Sequence, residues 1–116
     1  MREVSIGSRS WGLPVFVVGE FVRLVTHPTL FDYPSSLDDA LAALRGLLEA
    51  RRARLLRPGR RYWPILQQVA IDGHATGNQM FDAQIAAVCI EHGVDTILTE
   101  DRGFRRFSGI TIRRLG

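Results

Sequence analysis

The chain has 116 residues, 46% of them hydrophobic and 23% charged, which suits one compact domain able to bury a core without staples. No apolar run approaches the roughly 18 residues of a membrane span, the first ten residues lack the apolar centre of a signal peptide, and the single cysteine excludes an internal disulfide; the expectation is a cytoplasmic protein. All 15 cationic residues are arginine and the net charge is +3, so the partners expected are polyanions, unless the bias is a habit of the genome.

Residues 10–13 end a short strand, and Pro14 suits the first turn of the helix that follows. Residues 14–26 (PVFVVGEFVRLVT) are apolar nearly all round, which predicts a buried helix, ended by His27-Pro28. After a loop with Pro34, Ser35 or Ser36 caps a helix that carries Asp38 and Asp39 in its first turn, where the dipole favours them. Leu37, Leu41, Leu44 and Leu48 keep helical spacing to about residue 51. Residues 53–57 (ARLLR) read as a short strand, Pro58-Gly59 as a turn and 60–72 as a helix. Asn78 is a candidate cap for a helix over 79–92, with Gly93 in its C′ position. Residues 94–99 (VDTILT) read as a buried strand, 102–107 as a turn or short helix and 110–114 as an edge strand. Alternating strands and helices imply a parallel sheet with helices on both faces, a three-layer α/β/α fold, and ligands then bind beyond the carboxyl ends of the strands.

Three carboxylates bear on that region. Glu20 lies in the middle of the apolar helix, where burial is costly unless the charge is paired or metal-bound; a bridge to Arg23, three residues on, is the simpler account. Asp82 begins an otherwise apolar helix. It either complements the dipole or, sharing a face with Ala86 and Cys89 or Ile90, points toward packed structure. Asp101 follows a predicted strand, as a ligand or as a turn aspartate before Gly103. Taken together, clustered carboxylates repel unless a cation is present, and oxygen ligands without His or Cys suit Mg2+ or Mn2+. Such an ion activates water and stabilises charge on a phosphoryl oxygen. His27, His74 and His92 lack metal-type spacing, Cys89 reads as a small buried hydrophobe, and Trp11, Tyr62 and Trp63 read as core or rim packing, with base stacking the alternative.

Three stretches, LPVFVVGEFVRLVTHPTLF (13–31), GNQMFDAQIAAVCIEHG (77–93) and TILTEDRGFRRFSGI (96–110), resemble the PIN-domain ribonucleases, and among them the VapC-type toxins of bacterial toxin–antitoxin pairs. The likeness runs over nearly the whole chain, in order. It implies a site of Glu20, Asp82 and Asp101 holding Mg2+ or Mn2+, with Asn78, Thr99 and Arg23 beside it and Arg102, Arg105 and Arg106 on the RNA backbone. It also implies metal-dependent endonucleolytic cleavage of RNA, an antitoxin partner that blocks the site, and a homodimer. Two departures stand out. Gly103 replaces a further acid common in the family, and the family's first strand, with its aspartate in a D-x-N setting and the helix or helices after it, has no counterpart. The expected fold is therefore an N-terminally truncated PIN-like domain, from a start codon assigned too late, a decayed gene, or a strand replaced from elsewhere. Residues 3–6 (EVSI) offer a strand but only Glu3 as an acid. The rival reading is a non-catalytic remnant that binds antitoxin or RNA.

Overall fold

The computed structural model describes residues 3–6, 10–28, 33–51, 53–99 and 102–113. Its elements follow one another as β1 (Glu3–Ile6), β2 (Ser10–Pro14), α1 (Val15–Val25), α2 (Leu37–Arg51), β3 (Arg54–Leu56), α3 (Tyr62–Asp72), α4 (Gln79–Glu91), β4 (Thr96–Leu98), a 3-10 helix (Arg102–Arg106) and β5 (Thr111–Arg113). The five strands form one sheet in the order β3-β2-β1-β4-β5.

The direction of the strands departs from expectation at one place. β3 runs parallel to β2 and β5 parallel to β4, but β1 is antiparallel to both β2 and β4. Four strands therefore share one direction and the central one is reversed, so the sheet is mixed rather than parallel. The cause is local: β1 and β2 are joined by a short connection, Ile6 standing opposite Ser10, and only antiparallel neighbours close over so few residues. Residues 3–6 thus occupy the middle of the sheet. The reversal brings the backbone of Glu3, the first residue of β1, opposite Leu98, the last of β4.

Local chemistry explains the helix ends. Ser36 accepts the Asp39 backbone N–H on its hydroxyl at 3.1 Å and caps α2, one of the two serines expected to do so. α4 ends as its glycine requires: Gly93 has φ +75°, its N–H donates to the Ile90 carbonyl at 3.0 Å, and the Val94 N–H donates to Cys89 at 2.8 Å. That pair of bonds is a Schellman motif, and it aims the chain into β4. At the other end Asn78 makes no side-chain cap and is itself helical (φ −60°, ψ −23°), contrary to expectation. The Gln79 side chain instead reaches back to accept the Thr76 N–H at 3.1 Å. Pro64 is tolerated in the first turn of α3 because an N–H there has no partner within the helix.

The core lies around α4. Ala83, Ile85, Ala86, Ala87, Val88 and Cys89 are all fully buried, together with Leu13, Leu56, Ile97, Phe104 and Phe107. Small residues on α4 let the sheet, α3 and the 3-10 helix approach it closely. α1 is less covered than its composition suggests. Only Val17 is buried, while Phe16, Val18, Phe21 and Val22 pack against the core from one side. An apolar sequence makes burial favourable, but the rest of the fold has to supply the cover.

Candidate metal centre

The acidic residues singled out by the sequence depend on how α1, α4 and β4 end. α1 leaves directly from the carboxyl end of β2, with Pro14 both the last strand residue and the helix N-cap. α4 enters β4 through the turn at Gly93, so its first turn points back toward the carboxyl side of β4. A second contact fixes that end. Arg106, in the 3-10 helix that follows β4, donates Nη1 to the Gly73 carbonyl at 3.0 Å. The Phe107 ring also fills the space at Gly73, where a Cβ would lie 2.7 Å from ring carbons. The 73–78 connection and the start of α4 are thereby tied to the segment leaving β4.

Glu20 stands in the second turn of α1 and is half-buried. The expected bridge to Arg23 does not form. Arg23 is exposed, and among the described residues Glu20 has no hydrogen-bond or ion-pair partner. Asp82, in the first turn of α4, is also half-buried and is engaged by other groups. Ala86 and Cys89, on its face of the helix, are fully buried. Thr99, just past β4, is the one buried polar residue among those described; its backbone N–H donates to the Arg113 carbonyl at 3.0 Å. Asn78 is exposed at the mouth of α4. Asp101 lies outside the described residues, so the third carboxylate of the expected set has no described position. Among the described residues no three of His, Cys, Asp and Glu come together as a metal-binding group.

The structure divides the expected basic residues. Arg102 and Arg105 project from the 3-10 helix into solvent. Arg106 is exposed too, but its guanidinium is already committed to the Gly73 carbonyl. Cys89 is buried, and burial pushes its thiol up from 9.0 to about 12, as a small apolar core residue requires. Tyr62 is half-buried against Phe16, ring centroids 6.0 Å apart, in the packing role expected of it. Trp63 lies mostly in solvent; 63% of it is exposed.

One carboxylate escaped the sequence reading. Glu91, the last residue of α4, accepts the backbone N–H of Gly59 on Oε1 at 2.7 Å and that of Arg61 on Oε2 at 2.9 Å. No sequence signal marks it, because its partners lie 32 and 30 residues away.

These observations define a small α/β domain with strand order β3-β2-β1-β4-β5 and half-buried acids on the helices that start at, or return to, the carboxyl side of its strands. The PIN domain family model matches residues 3–110, and the chain belongs to that family. Its relatives include VapC ribonuclease Mb2897 of Mycobacterium bovis and Ribonuclease VapC43 of Mycobacterium tuberculosis. Each is 45% identical over 96 residues, which is 83% of this chain and 65% of the relative. Ribonuclease VapC48 of M. tuberculosis is 34% identical over 93 residues, 80% of this chain and 64% of the relative. The chain thus spans a little under two thirds of the length of these curated relatives.

Proposed function

We propose that this domain is an endoribonuclease of the VapC type, hydrolysing RNA phosphodiester bonds with Mg2+ or Mn2+ as the toxin of a toxin–antitoxin pair. The observation that carries the reading is Glu20, a half-buried carboxylate with no partner among the described residues, on a helix packed against the one that bears Asp82. A charge partly removed from water is costly unless compensated, and a cation beside it lowers that cost. The donor set agrees in kind: carboxylate oxygens without histidine or thiolate are hard ligands that suit Mg2+ or Mn2+. The names of the relatives supply the ribonuclease class.

In this reading Glu20, Asp82 and Asp101 hold the ion. Bound there, it supplies an activated water and neutralises charge on the phosphoryl group. Thr99, buried at the end of β4, and Asn78, at the mouth of α4, orient carboxylates or water. Arg23 sits one turn from Glu20 and is available to a phosphate, as are Arg102 and Arg105. Arg106 has donors left over after Gly73 but acts first as a structural tie. An antitoxin that covers this edge, a homodimer and a cytoplasmic setting belong to the same proposal. Among the described residues no helix is long and apolar enough to cross a membrane.

The test is Asp82→Asn, which keeps shape and removes charge. Mn2+-dependent cleavage of a labelled RNA should fall by at least two orders of magnitude, in the range typical of a lost catalytic group. The far-ultraviolet circular dichroism should not change. Cleavage at the wild-type rate would remove Asp82 from the site. A second reading, a non-catalytic module that binds antitoxin or RNA, draws on the reversed central strand. If wild-type protein neither binds Mn2+ in a calorimetric titration nor cleaves RNA, that reading replaces the first.

A further inference from the structure

The arginine-rich turn between β3 and α3 (57–61, RPGRR) is tied to the end of α4. Besides the two N–H bonds from Gly59 and Arg61 to the Glu91 carboxylate, Arg61 Nη2 donates to the Glu91 carbonyl at 3.1 Å. His92 Nε2 lies 2.7 Å from the Arg57 carbonyl oxygen. The end of α4 thus grips the turn at four points. A Cβ at 59 would lie 2.7 Å from Glu91 Oε2, so the carboxylate would have to shift to admit one.

The consequence is electrostatic as well as mechanical. The carboxylate of Glu91 accepts two backbone N–H groups and is held by them, with one negative charge set among three arginines. Arg57, Arg60 and Arg61 are all exposed, and Arg60 and Arg61, the latter with Nη2 on the Glu91 carbonyl, line an open cleft of about 590 Å³ together with Gly59, Glu91 and His92. In the first turn of α3, immediately after these arginines, stands Trp63, a large aromatic left 63% exposed. Packing gives no account of it. Exposed arginines on a held turn, followed two and three residues later by an exposed indole, supply the two kinds of contact a single-stranded nucleic acid uses: phosphates meet the arginines and a base stacks on the ring. An acidic peptide would explain the arginines and leave the tryptophan without a role. Rigidity adds to the case, because ordering a free loop would oppose binding.

We propose that the 57–61 turn and Trp63 form a second contact surface for single-stranded RNA, distinct from the edge where cleavage occurs. The choice of RNA as the polyanion rests on the ribonuclease reading above; the surface itself does not. α4 links the two regions. Asp82 lies in its first turn and Glu91 is its last residue, roughly 14 Å apart along the axis at 1.5 Å per residue. An RNA long enough to reach from one end of α4 to the other over the surface engages both regions, while a dinucleotide engages only one.

The experiment is a fluorescence-anisotropy titration of a labelled single-stranded RNA oligonucleotide, without divalent ions so that it stays intact, at several salt concentrations. Alongside it, dinucleotide cleavage is measured in Mn2+. Arg60→Ala should weaken oligonucleotide binding several-fold and flatten the slope of log K against log salt by about 0.7, the loss of one phosphate contact to a single strand. Trp63→Ala should weaken binding about tenfold with the slope unchanged, since stacking releases no counterion. Neither should alter dinucleotide cleavage. Oligonucleotide binding at wild-type strength by both variants would overturn the proposal. So would a polyglutamate peptide that binds the wild type more tightly than the RNA does and is indifferent to Trp63→Ala. If no RNA is cleaved by any form yet both variants lose oligonucleotide binding, the ribonuclease reading fails and this one stands.

Discussion

The two helix pairs of this domain are built to different standards. α4 buries six residues completely, and α3 adds Leu66 and Val69 against it, while Trp63 and Ile71 of α3 stay exposed on the far side. α1 and α2 together bury Val17, Ala40 and Leu44, and leave Leu24 36%, Leu41 37% and Leu37 58% exposed. Both pairs are comparably apolar in sequence, so the difference lies in cover rather than composition. α4 sits among the sheet, α3 and the 3-10 helix, whereas the outer side of α1 and α2 faces solvent. Each pair carries one of the described acids proposed for the site, Asp82 on the dense side and Glu20 on the open one. A cation shared between them would join a rigid element to one with fewer constraints.

The comparison breaks most sharply at Phe104. It is fully buried in the 3-10 helix and packs edge-on to Phe107, centroids 6.4 Å apart. Phe104→Ala should cost roughly 3–5 kcal/mol, read as a fall in the urea midpoint with the slope m unchanged. A loss under about 1 kcal/mol would show that the dense half is not as tightly packed as its burial implies.

Gly73 probes the same half from the backbone. Its carbonyl holds Arg106, and a Cβ would enter the Phe107 ring. Gly73→Ala should therefore destabilise by about 1–3 kcal/mol, the usual cost of overpacking. Because this contact also sets where α4 begins, Mn2+ affinity should weaken with it. Unchanged stability would mean that the ring turns aside freely.

The dense half also predicts a pH dependence. Burial in the folded state pushes the Cys89 thiol up from its ordinary 9.0 to about 12. Below pH 9 both states hold the proton and the group is neutral with respect to folding. Above it the unfolded state loses the proton first, so stability falls as pH rises from about 9 toward 12, by on the order of 1 kcal/mol per pH unit. Tyr62, raised from 10.0 chiefly by burial, acts in the same direction. Cys89→Ala should lower stability overall and flatten this alkaline decline without abolishing it. An equal slope in the variant would show that the thiol is not held neutral.

What the sequence disclosed, and what it did not, follows the range of the forces involved. The helices and the Gly93 stop were legible because spacing, caps and left-handed glycine act within a few residues. The direction of β1 was not, since pairing with β4 joins residues more than ninety positions apart. The grip of Glu91 on Gly59 and Arg61 was equally hidden, and the exposure of Trp63 beside it depends on what the fold leaves uncovered. For the candidate site, residue types pointed to Glu20 and Asp82 and to their side of the sheet. The absence of a Glu20–Arg23 bridge is a matter of rotamers and neighbours that spacing cannot decide. Asp101 remains a proposal from the sequence alone.

The smallest effect is the one that tests the open half. Leu37 begins α2 and is 58% exposed, so in a domain that works alone its side chain removes little area from water. Leu37→Ala should then change stability by no more than about 0.5 kcal/mol, within the range of ordinary surface substitutions, and alanine's helix propensity offsets part of even that. The measurement is a urea midpoint taken at two protein concentrations well apart. A loss of roughly 2 kcal/mol, growing with concentration, would mean that the wild-type leucine is buried against a second copy in solution. The open face of α1 and α2 would then be an interface, and the contrast between the two helix pairs would belong to the isolated chain rather than to the assembled protein.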